Sequence, residues 1–233
     1  MKVRILIKVT IFQIYQFLLK HIWSLFGVIL LLPICFVIFF NFYNPSKSFY
    51  INSEIKRLGK IKQEWVDIEK LPKVVSRSVV AAEDANFCTH HGFDIDAIFA
   101  VIKSGANRGA STISQQVAKN VFLWHGRNYL RKGLEVGFTV LIELIWSKKR
   151  ILEVYLNVAE FDEGVFGVSA AAQNYFKIDI KNITSLQAAR LMAILPNPKN
   201  RSASKPSNFV RKKTKGIMSG AETILKDGRA SCF

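Results

Sequence analysis

Residues 22–40 (IWSLFGVILLLPICFVIFF) run for nineteen positions without a charge, and this run constrains the chain more than any other feature. Roughly 20 apolar residues cross a hydrocarbon core as a helix, and this segment has no polar face to turn toward water. Lys2, Arg4, Lys8 and Lys20 precede it and no acid occurs before Glu54, a bias that keeps the N-terminus cytoplasmic and exports the remainder of the chain. The bulky NFYNPSK after the run lacks the small-x-small pattern of a cleaved signal, so the segment reads as a retained anchor. Pro33 is tolerated in membrane helices. The expected layout is a short basic N-terminus (1–21), an anchor (22–42), a juxtamembrane connection (43–70), one globular domain (71–210) and a poorly ordered basic tail (211–233).

Lys and Arg number 33 against 17 Asp and Glu, a net charge of +16. Without the four basic residues ahead of position 44 the balance is 29 against 17, so +12 belongs to the exported part. Such an excess calls for an anionic partner: nucleic acid, an anionic membrane or a phosphorylated substrate. Cys35, Cys88 and Cys232 are scattered and offer no CxxC pair and no readable disulfide framework.

Beyond residue 70 the patterns are helical. In LPKVVSRSVVAAED, Pro72 suits a first turn and Val75, Val79 and Ala82 share a face, which delivers Glu83 and Asp84 at the helix end. Thr112 and Gln115 form a capping-box pattern opening ISQQVAKNVFLW after the glycines of SGANRGAS. A helix over about residues 128–146 carries an apolar stripe of Leu134, Phe138, Leu141, Ile142 and Ile145, with Glu135 off its centre. RILEVYLNVAE, VSAAAQNYF and TSLQAARLMAIL complete a mainly α domain.

Three clusters could carry chemistry. EDANFCTHHGFD gathers Glu83, Asp84, His90, His91, Asp94 and Asp96; it lacks the HExxH spacing of a helical zinc site, and a Glu following the apolar VVAA is suited to act as a desolvated base. GASTISQQVAKN combines hydroxyls, amides and Lys119 at a helix start, a setting for a phosphate, although it is not a P-loop. RKGLE places Arg131 four residues before Glu135 with Lys132 beside them, which alone is an ordinary intrahelical pair.

The order of these pieces resembles the family 51 glycosyltransferases, specifically the monofunctional biosynthetic peptidoglycan transglycosylases. ED-x-x-F-x-x-H-x-G is met by Glu83, Asp84, Phe87, His90 and Gly92, and GxSTxxQQ-x-x-KN from Gly109 to Asn120, with Ser114 where Thr is common. RK-x-x-E is met by Arg131, Lys132 and Glu135, ILE-x-YLN from Ile151 to Asn157, and G-x-x-AA-x-x-YF from Gly167 to Phe176. FDEG at Asp162 and Glu163 replaces a more glycine-rich turn. The resemblance implies a lysozyme-like head with a small membrane-facing jaw, and polymerisation of lipid II onto a growing glycan chain with inversion. It implies Glu83 as the base and Glu135 as a second acid that orients the donor or the basic pair. Ser111, Thr112, Gln115, Gln116, Lys119, Asn120, Arg131 and Lys132 would hold substrate, and Glu153 would hold the fold. No cofactor is implied as required, with a divalent cation such as Mg the one assistance left open. Partners would be the membrane and other cell-wall synthesis or division proteins, with no nucleic acid. The site would lie outside the bacterial inner membrane.

A muramidase or lytic enzyme would also use one Glu, yet it has no need of cations for a pyrophosphate leaving group. A tethered nucleic-acid binder would explain the charge but not five ordered motifs. An inactive cell-wall scaffold would not need Glu83 and its basic companions. Ser202 to Lys205 spells SxxK, but the tail is too short to build a transpeptidase domain.

Overall fold

A computed structural model describes residues 2–105, 109, 111–126 and 128–233. The chain forms two compact units, residues 1–42 and 43–233. The first is one helix, α1 (Lys2–Phe42), whose stretch Tyr15–Phe42 is long and apolar enough to cross a membrane and leaves Tyr15, Trp23, Leu25, Ile29 and Leu31 exposed. The helix begins well ahead of residue 22, because residues 2–21 contain no Gly or Pro to stop it.

The second unit is mainly α. Its helices are α2 (Phe49–Leu58), α3 (Lys73–Glu83), α4 (Ile95–Ser104), α5 (Ile113–Phe122), α6 (Tyr129–Ile145), α7 (Lys148–Val158), α8 (Val168–Phe176), α9 (Ser185–Ile194) and α10 (Asn208–Lys226). Three short strands form one sheet in the order β1 (Lys62–Gln63), β3 (Val165–Phe166), β2 (Glu160–Asp162). β1 runs parallel to β3, pairing Lys62 with Val165, and β2 returns antiparallel to β3. The turn between β2 and β3 is Glu163 and Gly164; Gly164 has φ +68° and a Cβ there would stand 2.9 Å from Leu58 Cδ1, so a single glycine suffices for this turn.

The core is built from α3, α5, α7, α8, α9 and α10, with Phe87, Ile113, Leu152, Tyr155, Phe161, Leu191 and Met192 fully buried. The expected capping box of Thr112 with Gln115 opens α5, and Thr184 with Gln187 forms a second on α9.

Four expectations need correction. Residues 43–70 are part of the domain: Ile51 is fully buried, β1 pairs with β3, and Asn157 bonds both the amide and the carbonyl of Val66, at 2.8 and 2.9 Å. Residues 211–233 are no disordered tail, since most fall in α10, which packs on α3 and α9 through Val210, Thr214, Ile217, Ala221 and Ile224. Those inward positions recur in steps of four and three residues, the period of an amphipathic helix, which the Gly, Ser and Lys content of the segment outweighs in a reading by composition. Cys88 and Cys232 form a disulfide across 144 residues, a separation that carries no spacing signal. Glu135, finally, lies on the inward face of α6 with Arg131, Thr139 and Ile142, while Leu134, Val136, Val140 and Leu144 are exposed.

Candidate active site

α3 ends where the site begins. Val75, Val79 and Val80 bury one side of it, so Glu83, its last residue, leaves the helix next to the core. Glu83 Oε2 accepts a hydrogen bond from Gln116 Nε2 at 3.1 Å, and Oε1 is buried with no hydrogen-bond partner. Gln116 Oε1 in turn accepts from the Tyr155 hydroxyl at 3.3 Å, so both ends of the amide are engaged. Burial pushes the Glu83 carboxyl above the usual carboxylate range, and the Asp84 charge adds to this; the Gln116 bond, Lys213 and Lys119 act against it.

Asp84 has a different task. Its Oδ1 meets His90 Nε2 at 2.8 Å and its Oδ2 accepts from the Ile113 amide at 3.0 Å, tying the first turn of α5 to the end of α3. His90 Nδ1 accepts from the Gly92 amide at 3.2 Å, so Nε2 carries the proton toward Asp84. Gly92 has φ +89°, and a Cβ there would meet Thr139 Cγ2 at 2.8 Å, which packs this turn against α6. Asp94 caps α4 through the Ala97 amide, and Asp96 and His91 are exposed.

α5 carries the polar cluster in two directions. Thr112 and Gln115 are buried in the capping box, with Thr112 Oγ1 also donating to Gly92 O at 2.7 Å, so both side chains shape the site and are committed to backbone. Ser114 donates to Glu143, which Lys148 also reaches at 2.8 Å. Ser111 is exposed. Gln116, Lys119 and Asn120 line a cavity of about 360 Å3, together with Tyr155, His125 and Lys199. A second cavity of about 370 Å3, at Trp65 and Asp179, contains none of the expected residues.

On α6, Glu135 is buried between two cations: Arg131 Nη1 donates to its Oε2 and Lys132 Nζ to its Oε1, each at 2.6 Å. Arg131 Nε also donates to Gly126 O at 2.8 Å. Glu135 thus fixes both basic side chains and leaves the group net positive. Lys119 links the two carboxylate centres electrostatically. Burial lowers its ammonium below the ordinary lysine range and Arg131 and Lys132 reinforce this, against the pull of Glu135 and Glu83. Glu153 accepts from the Ile68 amide at 3.1 Å and pairs with Arg150, a structural role.

Against this geometry, the family model described as Transglycosylase matches residues 52–222, most of the second unit. The chain belongs to the transglycosylase family. Relatives named biosynthetic peptidoglycan transglycosylase include one from Jannaschia sp., 52% identical over 80% of this chain and 78% of its own length. Others come from Caulobacter vibrioides, 43% identical over 90% and 93%, and Haemophilus influenzae, 53% identical over 73% and 75%. The family match takes in Glu83, the α5 cluster, Glu135 and also most of α10.

Two residues near the transglycosylase site escaped the motif reading. His125 stacks on Tyr50 with ring centroids 3.5 Å apart and is pushed down to about 4 by burial, with Lys119 and Arg131 adding to the effect, so it is neutral at neutral pH. Lys213 on α10 acts on Glu83 from a segment read as tail. Neither stands in a matched motif, and only tertiary packing brings them here. Among the described residues no group of three His, Cys, Asp or Glu is arranged to hold a metal ion.

Proposed function

We propose that this chain is a monofunctional peptidoglycan glycosyltransferase, which polymerises lipid II into glycan strands with inversion and releases the lipid pyrophosphate. The acceptor 4-hydroxyl oxygen attacks the donor anomeric carbon as the bond from that carbon to the phosphate oxygen breaks. Glu83 takes the hydroxyl proton on its unpartnered Oε1, and the leaving oxygen carries its electron pair onto the pyrophosphate. Lys119, Arg131 and Lys132 neutralise the charge that develops there, with Asn120 and Ser111 as polar contacts. A cation that balances the departing pyrophosphate makes leaving-group protonation unnecessary.

The observation that carries this reading is the pairing of one desolvated carboxylate with a net positive Lys119–Arg131–Lys132 group fixed by Glu135. A raised carboxyl alone would equally serve a hydrolase acid; the cations distinguish the two. Membrane attachment is the companion proposal, with α1 as a single span and the catalytic unit outside. It is supported by the apolar length of α1 and by the exposed Ile95, Phe99 and Ile102 on α4 and Leu130, Leu134 and Leu144 on α6, an apolar surface suited to lipid. The Cys88–Cys232 disulfide fits an oxidising, extracytoplasmic setting.

The test is full-length protein in detergent with fluorescent lipid II. A ladder of polymer with released lipid pyrophosphate is expected. Hydrolysed disaccharide without polymer would assign the chain to the hydrolases instead.

A further inference from the structure

The loop between α5 and α6 lies between two matched motifs, after Asn120 and before Arg131. It leaves α5 at buried Leu123 and enters α6 at Asn128, whose side chain caps the Arg131 amide at 2.7 Å. Inside it, His125 lays its ring on that of Tyr50, with centroids 3.5 Å and planes 21° apart. Tyr50 is a fixed platform for this contact. It is buried in the first turn of α2, its hydroxyl donates to Glu160 on β2, and its ring meets fully buried Phe166 in a T-shaped contact, centroids 5.5 Å apart. Glu160 is held in turn, since its Oε1 receives Lys199 Nζ at 3.4 Å and the Gly164 amide at 3.2 Å. The His125 ring is uncharged at neutral pH, so it keeps this place near Lys119 and Arg131 without repulsion.

The residue after His125 meets the cations of the site. Gly126 has φ +141°, a conformation that side chains rarely adopt, and its carbonyl accepts from Arg131 Nε at 2.8 Å. Arg131 Nη1 donates to Glu135 at 2.6 Å. A guanidinium is planar and its donors diverge in one plane, so binding Nε and Nη1 fixes where Nη2 points. Among the described residues Nη2 has no partner, which leaves it to donate to a phosphate oxygen. Glu135 alone would let the guanidinium turn about a single contact. The Gly126 carbonyl removes that freedom, and its place is set by the loop.

We infer that His125 is a positioning residue for the reaction: its stack on Tyr50 seats the loop so that the Gly126 carbonyl orients Arg131 toward the pyrophosphate. This rests on the reading of Arg131 as a cation for the leaving group. It joins α2, which carries no matched motif, to the cation group on α6. A flat ring on Tyr50 is what the role requires, and the imidazole nitrogens are not.

The test is a double-substitution cycle on polymerisation of fluorescent lipid II by the full chain in detergent. Both kcat and KM are measured for wild type, His125→Ala, Arg131→Lys and the two changes together. Lysine keeps the charge but lacks the planar fork that Gly126 and Glu135 hold. A cation misplaced against charge that develops during the reaction lowers kcat more than it raises KM. His125→Ala is therefore expected to lower kcat roughly tenfold with KM within about twofold of wild type. In the Arg131→Lys background the same change should cost less than about twofold. His125→Phe keeps a ring on Tyr50 and should recover most of the rate. An unchanged kcat in His125→Ala, a loss of equal size in both backgrounds, or no recovery with Phe overturns the inference. If His125→Ala does not fold, His125→Gln is compared with His125→Phe in the same two backgrounds. Should Arg131→Ala polymerise at the wild-type rate, the reading of Arg131 falls; should it be inactive while His125→Ala is unimpaired, only the role of His125 falls.

Discussion

At the scale of single residues, the site depends on a carboxylate held where it is costly to ionise. Glu83 is raised above its unfolded value, so between those two values and above them the unfolded chain gives up its proton more readily and the ionised side chain opposes folding. Below the unfolded value the penalty is absent. Glu83→Gln is therefore expected to unfold at a higher temperature than wild type at neutral pH, with the gain vanishing in acid; differential scanning fluorimetry across pH checks this. Lys119 and Arg131 should part company. Lys119→Ala removes a cavity-lining cation with no ion pair among the described residues, and should lower polymerisation without lowering the melting temperature. Arg131→Ala also strips buried Glu135 of one of its two partners and should cost about 2 kcal/mol of stability, less than a fully orphaned buried charge because Lys132 remains. Chemical denaturation of the two variants makes the comparison. Glu83 was legible because an apolar VVAA run precedes it. The inward turn of Glu135 was not, because on α6 Leu134, Val136, Val140 and Leu144 face outward while Arg131 and Glu135 share the buried face with Thr139 and Ile142, so apolar content does not mark the inward side.

At the scale of elements, helix starts were readable from their caps, and Thr112, Thr184 and Asn128 open α5, α9 and α6 as their side chains suggest. α10 is strongly amphipathic, with Val210, Thr214, Ile217, Ala221 and Ile224 at regular helical spacing, so its period was present in the sequence; a reading by composition, which weighs the Gly, Ser and Lys of the segment, passes over it. Its disulfide was invisible for a different reason, since pairing across 144 residues is a property of the folded chain alone. Closing so long a loop restricts the unfolded ensemble, so Cys88→Ser with Cys232→Ser should lower stability by about 2–4 kcal/mol. The effect should be matched by adding a reductant to wild type and be absent when reductant is added to the double variant. Because the same bridge holds the turn carrying Asp84 and His90, polymerisation should fall before global unfolding does.

At the scale of the whole molecule, charge and apolar surface point toward the same neighbour. The part of the chain beyond residue 43 retains +12, and α4 and α6 expose apolar side chains. A truncated chain lacking residues 1–43 should still bind vesicles containing anionic lipid and release them as salt rises, which sedimentation measures; indifference to anionic lipid at low salt would place the basic surface elsewhere. The central claim is that Glu83 is the proton acceptor in glycan polymerisation, and one measurement addresses it most directly: the rate at which full-length Glu83→Gln polymerises fluorescent lipid II in detergent, beside wild type and Asp84→Asn. Glutamine keeps the shape and the contact with Gln116 but cannot take the proton, so the rate should fall by at least about a hundredfold with fold and donor binding intact. Asp84→Asn, which disturbs the anchoring of α5, should not reproduce that loss in a folded protein. A Glu83→Gln enzyme that polymerises at the wild-type rate would contradict the account.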